Sequence, residues 1–180
     1  MSYALFGPGG NGDWFRADGM KSALQTPGWL KSKGIDAFEY EATRGVNASE
    51  ESLRAFGEKA REHGISVSLH ASYFISLSSV EAEKRQNSVR YIVQATRAAE
   101  WIGAHTVVIH SGSTAKMPRE EAMALSKNTL EMALEAVETL RSSWESRRWA
   151  SSISWERWMR SLSNVVSHRG DWFLSLISDI

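Results

Sequence analysis

The sequence predicts an α/β fold with parallel strands, built either as part of a (β/α) barrel or as part of a doubly wound sheet. Three observations carry this reading. Short apolar runs alternate with helix-length segments through residues 1–140. The repeat is about 35 residues, enough for one strand, its crossover helix and two connections. Gly34, Gly64 and Gly103 each stand where a helical pattern ends and a strand-like run is about to begin, the place where a left-handed C-terminal residue is wanted.

Taken in order, Ala4–Phe6 reads as a first strand, ended by "GPGGNG". Pro27 behind Thr26 suits the first turn of a short helix that stops before Gly34. Ala37–Tyr40 is a second strand. Asn47 with Glu50 three residues on gives a capping-box pattern for a helix to about His63. Ser66–Leu69 is a third strand. Ser78 and Glu81 repeat the start signal for a long helix, with Val89, Ile92, Val93, Thr96, Ala99 and Ile102 on its inner face. Thr106–Ile109 is a fourth strand. Pro118 opens a last helix through about Leu140, whose Ala122, Leu125, Leu130, Ala133, Leu134 and Val137 form a packing stripe. A complete barrel takes about 250 residues, so four such units make half of one.

The 180 residues hold 42% hydrophobic side chains, 21 basic against 21 acidic groups and no cysteine. That supports one globular core and excludes disulfides, thiolate metal sites and cysteine nucleophiles. The N-terminus has no basic, apolar leader and no stretch of about 18 apolar residues occurs, so a cytoplasmic protein without a membrane partner is expected. Any metal must then sit on histidines and carboxylates. Residues 141–180 differ in texture: they hold 5 of the 8 Trp, 11 Ser, 6 Arg and no Lys. No strand or helix period is visible there.

Two stretches carry the chemistry. "SVSLHASYFISLSS" and "AHTVVIHSGS" each end a strand-like run in a histidine, His70 and His110. Parallel strands of neighbouring units put both imidazoles at one carboxyl edge, where barrel enzymes keep their sites. Neutral imidazoles there can ligate zinc or manganese, but a catalytic zinc takes about three protein donors. His63 and His105 read as helix-end and loop residues. Gly7, Gly9 and Gly12 spell G-x-G-x-x-G, yet no strong helix comes after them, which favours a strand-end loop over a dinucleotide cradle. Glu39 and Glu41 flank Tyr40 and read as solvated or as an inward base or ligand.

"LHASYFISLSS" followed by "RYIVQATRAAEWIGAHTVVIHSGS" resembles endonuclease IV and its relatives in the xylose isomerase-like TIM-barrel superfamily, over about residues 34–140. The resemblance implies a (β/α)8 TIM barrel, of which residues 1–140 are the N-terminal half. It implies a trinuclear zinc site in which the histidines of H-x-x-Y and V-x-H-x-G, here His70 and His110, are ligands. It also implies hydrolysis of a phosphodiester at abasic sites in double-stranded DNA, with Tyr73, the motif's tyrosine, and Arg44 as contacts to the DNA. Where the family has G-x-H after its first strand this chain has "FGPGGNG". A metal-dependent sugar isomerase or epimerase of the same superfamily is therefore the alternative, and a non-catalytic fragment is another.

The family's fifth strand ends in a metal-binding Glu, within a motif like E-T-M-G-K-x-N-Q-L-G-T-L-D-E-V. Here stands "RSSWESRRWASSISWERWMRSLSN". Trp and Met have single codons and so constrain any other frame. Read one nucleotide earlier, "SWERWMRS" can be encoded as QLGTLDEV, and permitted codons for the stretch before it give V-E-T-M-G-K-[LF]-N. The expectation is that 141–180 is an out-of-frame tail without a native counterpart, that His168, Glu145 and Glu156 are not ligands, and that the chain as written is inactive. Open half-barrel edges would then favour self-association.

Overall fold

A computed structural model of the chain describes residues 4–114, 116–144, 166–168 and 171–177. Its elements are α1 (Asp13–Ala17), a 3₁₀ turn (Ala23–Gln25), α2 (Thr26–Ser32), β1 (Ala37–Glu41), α3 (Glu50–His63), β2 (Ser66–His70), α4 (Ala82–Ile102), β3 (Thr106–Ser113), α5 (Arg119–Trp144), β4 (Val166–His168) and β5 (Asp171–Ile177). The sheet order is β1-β2-β3-β5-β4. β1, β2 and β3 are parallel neighbours, in register Glu41 with His70 and His70 with Val108. This is the α/β arrangement with crossover helices that the alternation of runs predicts.

Side chains on successive strand residues point to opposite faces. Phe38, Val67, Leu69, Val107 and Ile109 are all buried and form one core with Leu53 and Phe56 of α3, Ile92, Ala95 and Ile102 of α4 and Leu130 of α5. The alternate positions, Glu39, Glu41, Ser68, His70, Val108 and His110, are less buried and lie on the other face. α3 can approach α4 closely because Gly57 lies against the Ile102 carbonyl, where a Cβ would not fit. Gly64 and Gly103 end α3 and α4 at φ 64° and 71°, the left-handed conformation expected of C-terminal glycines.

Several local expectations are corrected. Ala4–Phe6 forms no strand; pairing on β1's outer edge is confined to Pro8 and Gly10, which bond the Glu39 N–H and carbonyl at 3.0 and 2.9 Å. Proline supplies no N–H and glycines no packing side chain, so a ladder does not extend there. The cap of α3 is Ser49, whose hydroxyl accepts from the Ser52 N–H at 3.2 Å, not Asn47. Ser78 does not cap α4; its hydroxyl donates to the Ser113 carbonyl at 2.7 Å. Thr26 is fully buried inside α2's first turn and shares reciprocal hydrogen bonds with Asn11. The inner face of α4 uses Ala95 and Ala98, while Val93 and Thr96 are only half-buried.

Some residues beyond Leu140 are described as well. α5 runs on to Trp144, and β5 lies antiparallel along β3, from Thr106 beside Ile177 to Ser113 beside Asp171. The β3 edge that a bare half-barrel would leave open is therefore occupied by the chain itself, and β4 is the edge strand on that side. His168 lies in β4, opposite Asp171. Glu145 and Glu156 lie outside the described residues.

Candidate metal and nucleic-acid site

His70 is the last residue of β2, and His110 lies inside β3, which continues through an irregularity between His110 and Gly112. In strand register His110 is two residues beyond His70's partner Val108. The imidazoles nonetheless meet on the less buried face, with Nε2 to Nε2 at 3.0 Å and ring centroids 4.9 Å apart. His70 Nδ1 lies 3.0 Å from the Ala71 carbonyl. A carbonyl can only accept, so Nδ1 carries the hydrogen and the Nε2 of a neutral His70 presents its lone pair.

This donor set suits a divalent ion. Two imidazole nitrogens each about 2.0–2.1 Å from a tetrahedral zinc are roughly 3.3 Å apart, close to the spacing here. The Nδ1–H to carbonyl bond is the usual outer partner that fixes a ligating histidine. Among the described residues no third His, Asp or Glu joins them as an assembled cluster. His70 and His110 are the residues that would hold such a metal.

The loop after β2 is pinned on three sides. Tyr73 N–H and Ser72 Oγ both donate to the Thr43 carbonyl, at 3.1 and 3.3 Å. Ser76 N–H donates to Ser88 Oγ at 2.9 Å, and Thr129 of α5 donates to the Leu77 carbonyl at 2.8 Å. Gly112 has φ 104°, and a Cβ there would come 2.7 Å from Ser78 Oγ, so glycine is required where the end of β3 meets this loop. The result is a rigid platform that holds Tyr73 outward, 53% exposed, beside Phe74 at 50%. Their ring centroids are 4.5 Å apart. Arg44, exposed on the neighbouring loop, has no ion pair or hydrogen bond among the described residues. A cation and a stacking surface thus lie on adjacent loops, joined through Thr43.

The other candidates stay outside this arrangement. Glu39 accepts a hydrogen bond from Ser68 Oγ at 3.2 Å, and Glu41 rests against Gly9 and Gly10. Burial raises the Tyr40 phenol above its ordinary pKa, so it stays neutral. The Gly7–Gly12 segment is a loop laid on β1. It leads into a five-residue helix beginning with Asp13, and a carboxylate at that end repels a pyrophosphate. His105 bonds Ser66 and Thr106 at the opposite end of the strands. His63 ends α3, and its Nε2 would stand 3.1 Å from a Cβ at Gly28. The contributions of Thr129 and Phe74, and the role of Ser78 as a tie to Ser113, are not foreseen from the sequence. Only Phe74, directly after Tyr73, carries a local signal.

The fold and the site together define a class: parallel strands wrapped by crossover helices, with metal-competent histidines at the carboxyl edge. The chain belongs to the xylose isomerase-like TIM barrel family, whose model matches residues 27–142. It is 29% identical over 113 residues to an uncharacterized protein of Methanocaldococcus jannaschii, covering 62% of this chain and 40% of that one. It is 26% identical over 107 residues to a probable endonuclease 4 of Aquifex aeolicus, covering 57% and 38%. Among solved structures, a D-psicose 3-epimerase from Clostridium cellulolyticum H10 superposes with TM-score 0.55 at 14% identity, over 67% of this chain and 44% of that one. A structure described as SacUVDE gives 0.50 at 17% identity, over 61% and 42%. The chain spans about 40% of the length of the relatives it matches.

Proposed function

We propose that residues 1–140 are the N-terminal half of an endonuclease IV-like, zinc-dependent phosphodiesterase that acts at abasic sites in DNA. The observation that carries the reading is the convergence of His70 and His110 at 3.0 Å on a strand edge flanked by Tyr73 and Arg44. The similarity to the Aquifex aeolicus protein supports it. In this reading His70 and His110 hold zinc, which when bound supplies Lewis-acid charge and a nucleophile at neutral pH. Arg44 neutralises a backbone phosphate, and Tyr73 offers its ring to the stack where a base is missing. With no further ligand assembled among the described residues, this chain is expected to bind DNA without cleaving it.

The test is fluorescence anisotropy of labelled abasic and intact duplexes, with zinc present. Tighter binding of the abasic duplex is expected. Tyr73→Ala is expected to weaken it by about 1–3 kcal/mol, and Arg44→Ala to lower the slope of log affinity against log salt by about one. Equal affinity for both duplexes, together with affinity for a ketose, would instead favour the isomerase or epimerase reading. Retention of neither DNA nor zinc would leave a non-catalytic fragment.

Residues 141–180 are, in the same proposal, an out-of-frame tail. Its support is that permitted codons for this stretch, through "SWERWMRS", allow V-E-T-M-G-K and then Q-L-G-T-L-D-E-V in order in the other frame. Sequencing the source DNA across codons 136–146 is expected to reveal a one-base difference from the frame that encodes this tail. An unchanged sequence would make the tail genuine and end the division at residue 140.

A further inference from the structure

Resting on the nucleic-acid reading above, we infer that Tyr91 is a positioning residue that sets the spacing between Arg44 and Tyr73. Tyr91 lies on α4, and its ring reaches the two loops that carry those residues. On one side its centroid is 5.7 Å from Phe74, which in turn stacks 4.5 Å from Tyr73. On the other, Tyr91 Cε1 stands 3.7 Å from where a Cβ of Gly45 would be. Gly45, at φ 92°, is the residue directly after Arg44. The ring is thus a wedge between the loop after β1 and the loop after β2.

The two loops are otherwise tied where they leave the strands, by the Ala42 N–H donating to the His70 carbonyl at 2.9 Å and by the Thr43 carbonyl, which accepts from both Tyr73 N–H and Ser72 Oγ. These bonds stop at Thr43 and Tyr73, and among the described residues no hydrogen bond links Arg44 or Gly45 to Phe74. A half-buried ring placed against both loops holds their separation there. A duplex backbone presents a phosphate and a stacking face at a fixed separation, so a phosphate contact and a ring contact act together only if their own separation is held. The Tyr91 hydroxyl has no hydrogen bond among the described residues, so the ring carries the role and Tyr91→Phe should preserve it.

The experiment uses the full chain in three forms: unsubstituted, Tyr91→Phe and Tyr91→Ala, with Tyr91→Leu in place of alanine should the latter not fold by circular dichroism. Two quantities are read. Amide hydrogen exchange at Tyr73 is expected to speed up roughly tenfold in Tyr91→Ala as the bond to Thr43 opens more often, and to be unchanged in Tyr91→Phe. In anisotropy with a zinc-supplemented abasic duplex, Tyr91→Ala is expected to bind about tenfold more weakly. The coupling between Arg44→Ala and Tyr73→Ala, present with Tyr or Phe at 91, is expected to vanish, a change that general loosening of the fold would not produce. Unchanged Tyr73 exchange in Tyr91→Ala overturns the wedge whatever the DNA result. Undiminished coupling between Arg44 and Tyr73 overturns it too. Failure of the unsubstituted chain to prefer the abasic duplex overturns the nucleic-acid reading itself and, with it, the role of Tyr91.

Discussion

Alanine at His110, and equally at His70, is expected to lower zinc affinity by at least about a hundredfold. Loss of an outer hydrogen-bond partner of a ligand already costs about 10–100-fold, and each of these residues supplies a donor directly. The prediction rests on two Nε2 atoms 3.0 Å apart, with His70 held by the Ala71 carbonyl. Removing either leaves a lone imidazole, which binds zinc no better than any surface histidine. Competition against a chromophoric chelator measures the affinity, and circular dichroism checks that the fold survives. His63→Ala is the control: His63 ends α3 beside Gly28, and its loss should leave zinc binding unchanged. If all three variants bind zinc alike, His70 and His110 are a hydrogen-bonded pair and not a metal site.

Leu69→Ala is expected to destabilise the fold by about 2–5 kcal/mol. Leu69 is 0% exposed in the central strand of the parallel trio, with Tyr40 and Val107 in register on either side. Its truncation leaves a cavity that strands bonded on both edges cannot collapse to fill. Against a total of about 5–15 kcal/mol for a domain, such a loss is a large fraction of stability. Val108→Ala, one residue past Val107 and on the opposite, less buried face, should cost less. Urea unfolding followed by circular dichroism gives both numbers, and equal losses would contradict the assignment of faces. Because His70 comes directly after Leu69, zinc binding should fall off at lower urea in Leu69→Ala.

Legibility in the sequence depends on whether the signal is local. The runs Ala37–Tyr40, Ser66–Leu69 and Thr106–Ile109, and the stops Gly64 and Gly103, agree with the structure because burial alternation and helix termination are written in neighbouring residues. Ala4–Phe6 misleads because apolar character alone does not make a ladder without partners for its N–H groups. Asn47 and Ser78 match a capping pattern, but Ser49 stands nearer the first helical turn, and Ser78 is claimed by Ser113 across the fold. The strands His70 and His110 come from are plain in the sequence. Their meeting despite a two-residue stagger is not, since it depends on side-chain rotamers. Tyr91 gives no signal, because its importance lies in two loops distant from it in sequence.

The reversed direction of β5 has a consequence for assembly. A (β/α)8 barrel closes with all its strands parallel, and here the seat beside β3 is taken by a strand running back, from Asp171 beside Ser113 to Ile177 beside Thr106. The parallel run thereby stops at β3 and cannot be continued into such a ring. Were the missing half of a barrel supplied as a separate polypeptide, its first strand would have to evict β5 by exchange, one hydrogen bond at a time. Reconstitution from two pieces would then be limited by the departure of the resident segment and not by the encounter of the halves.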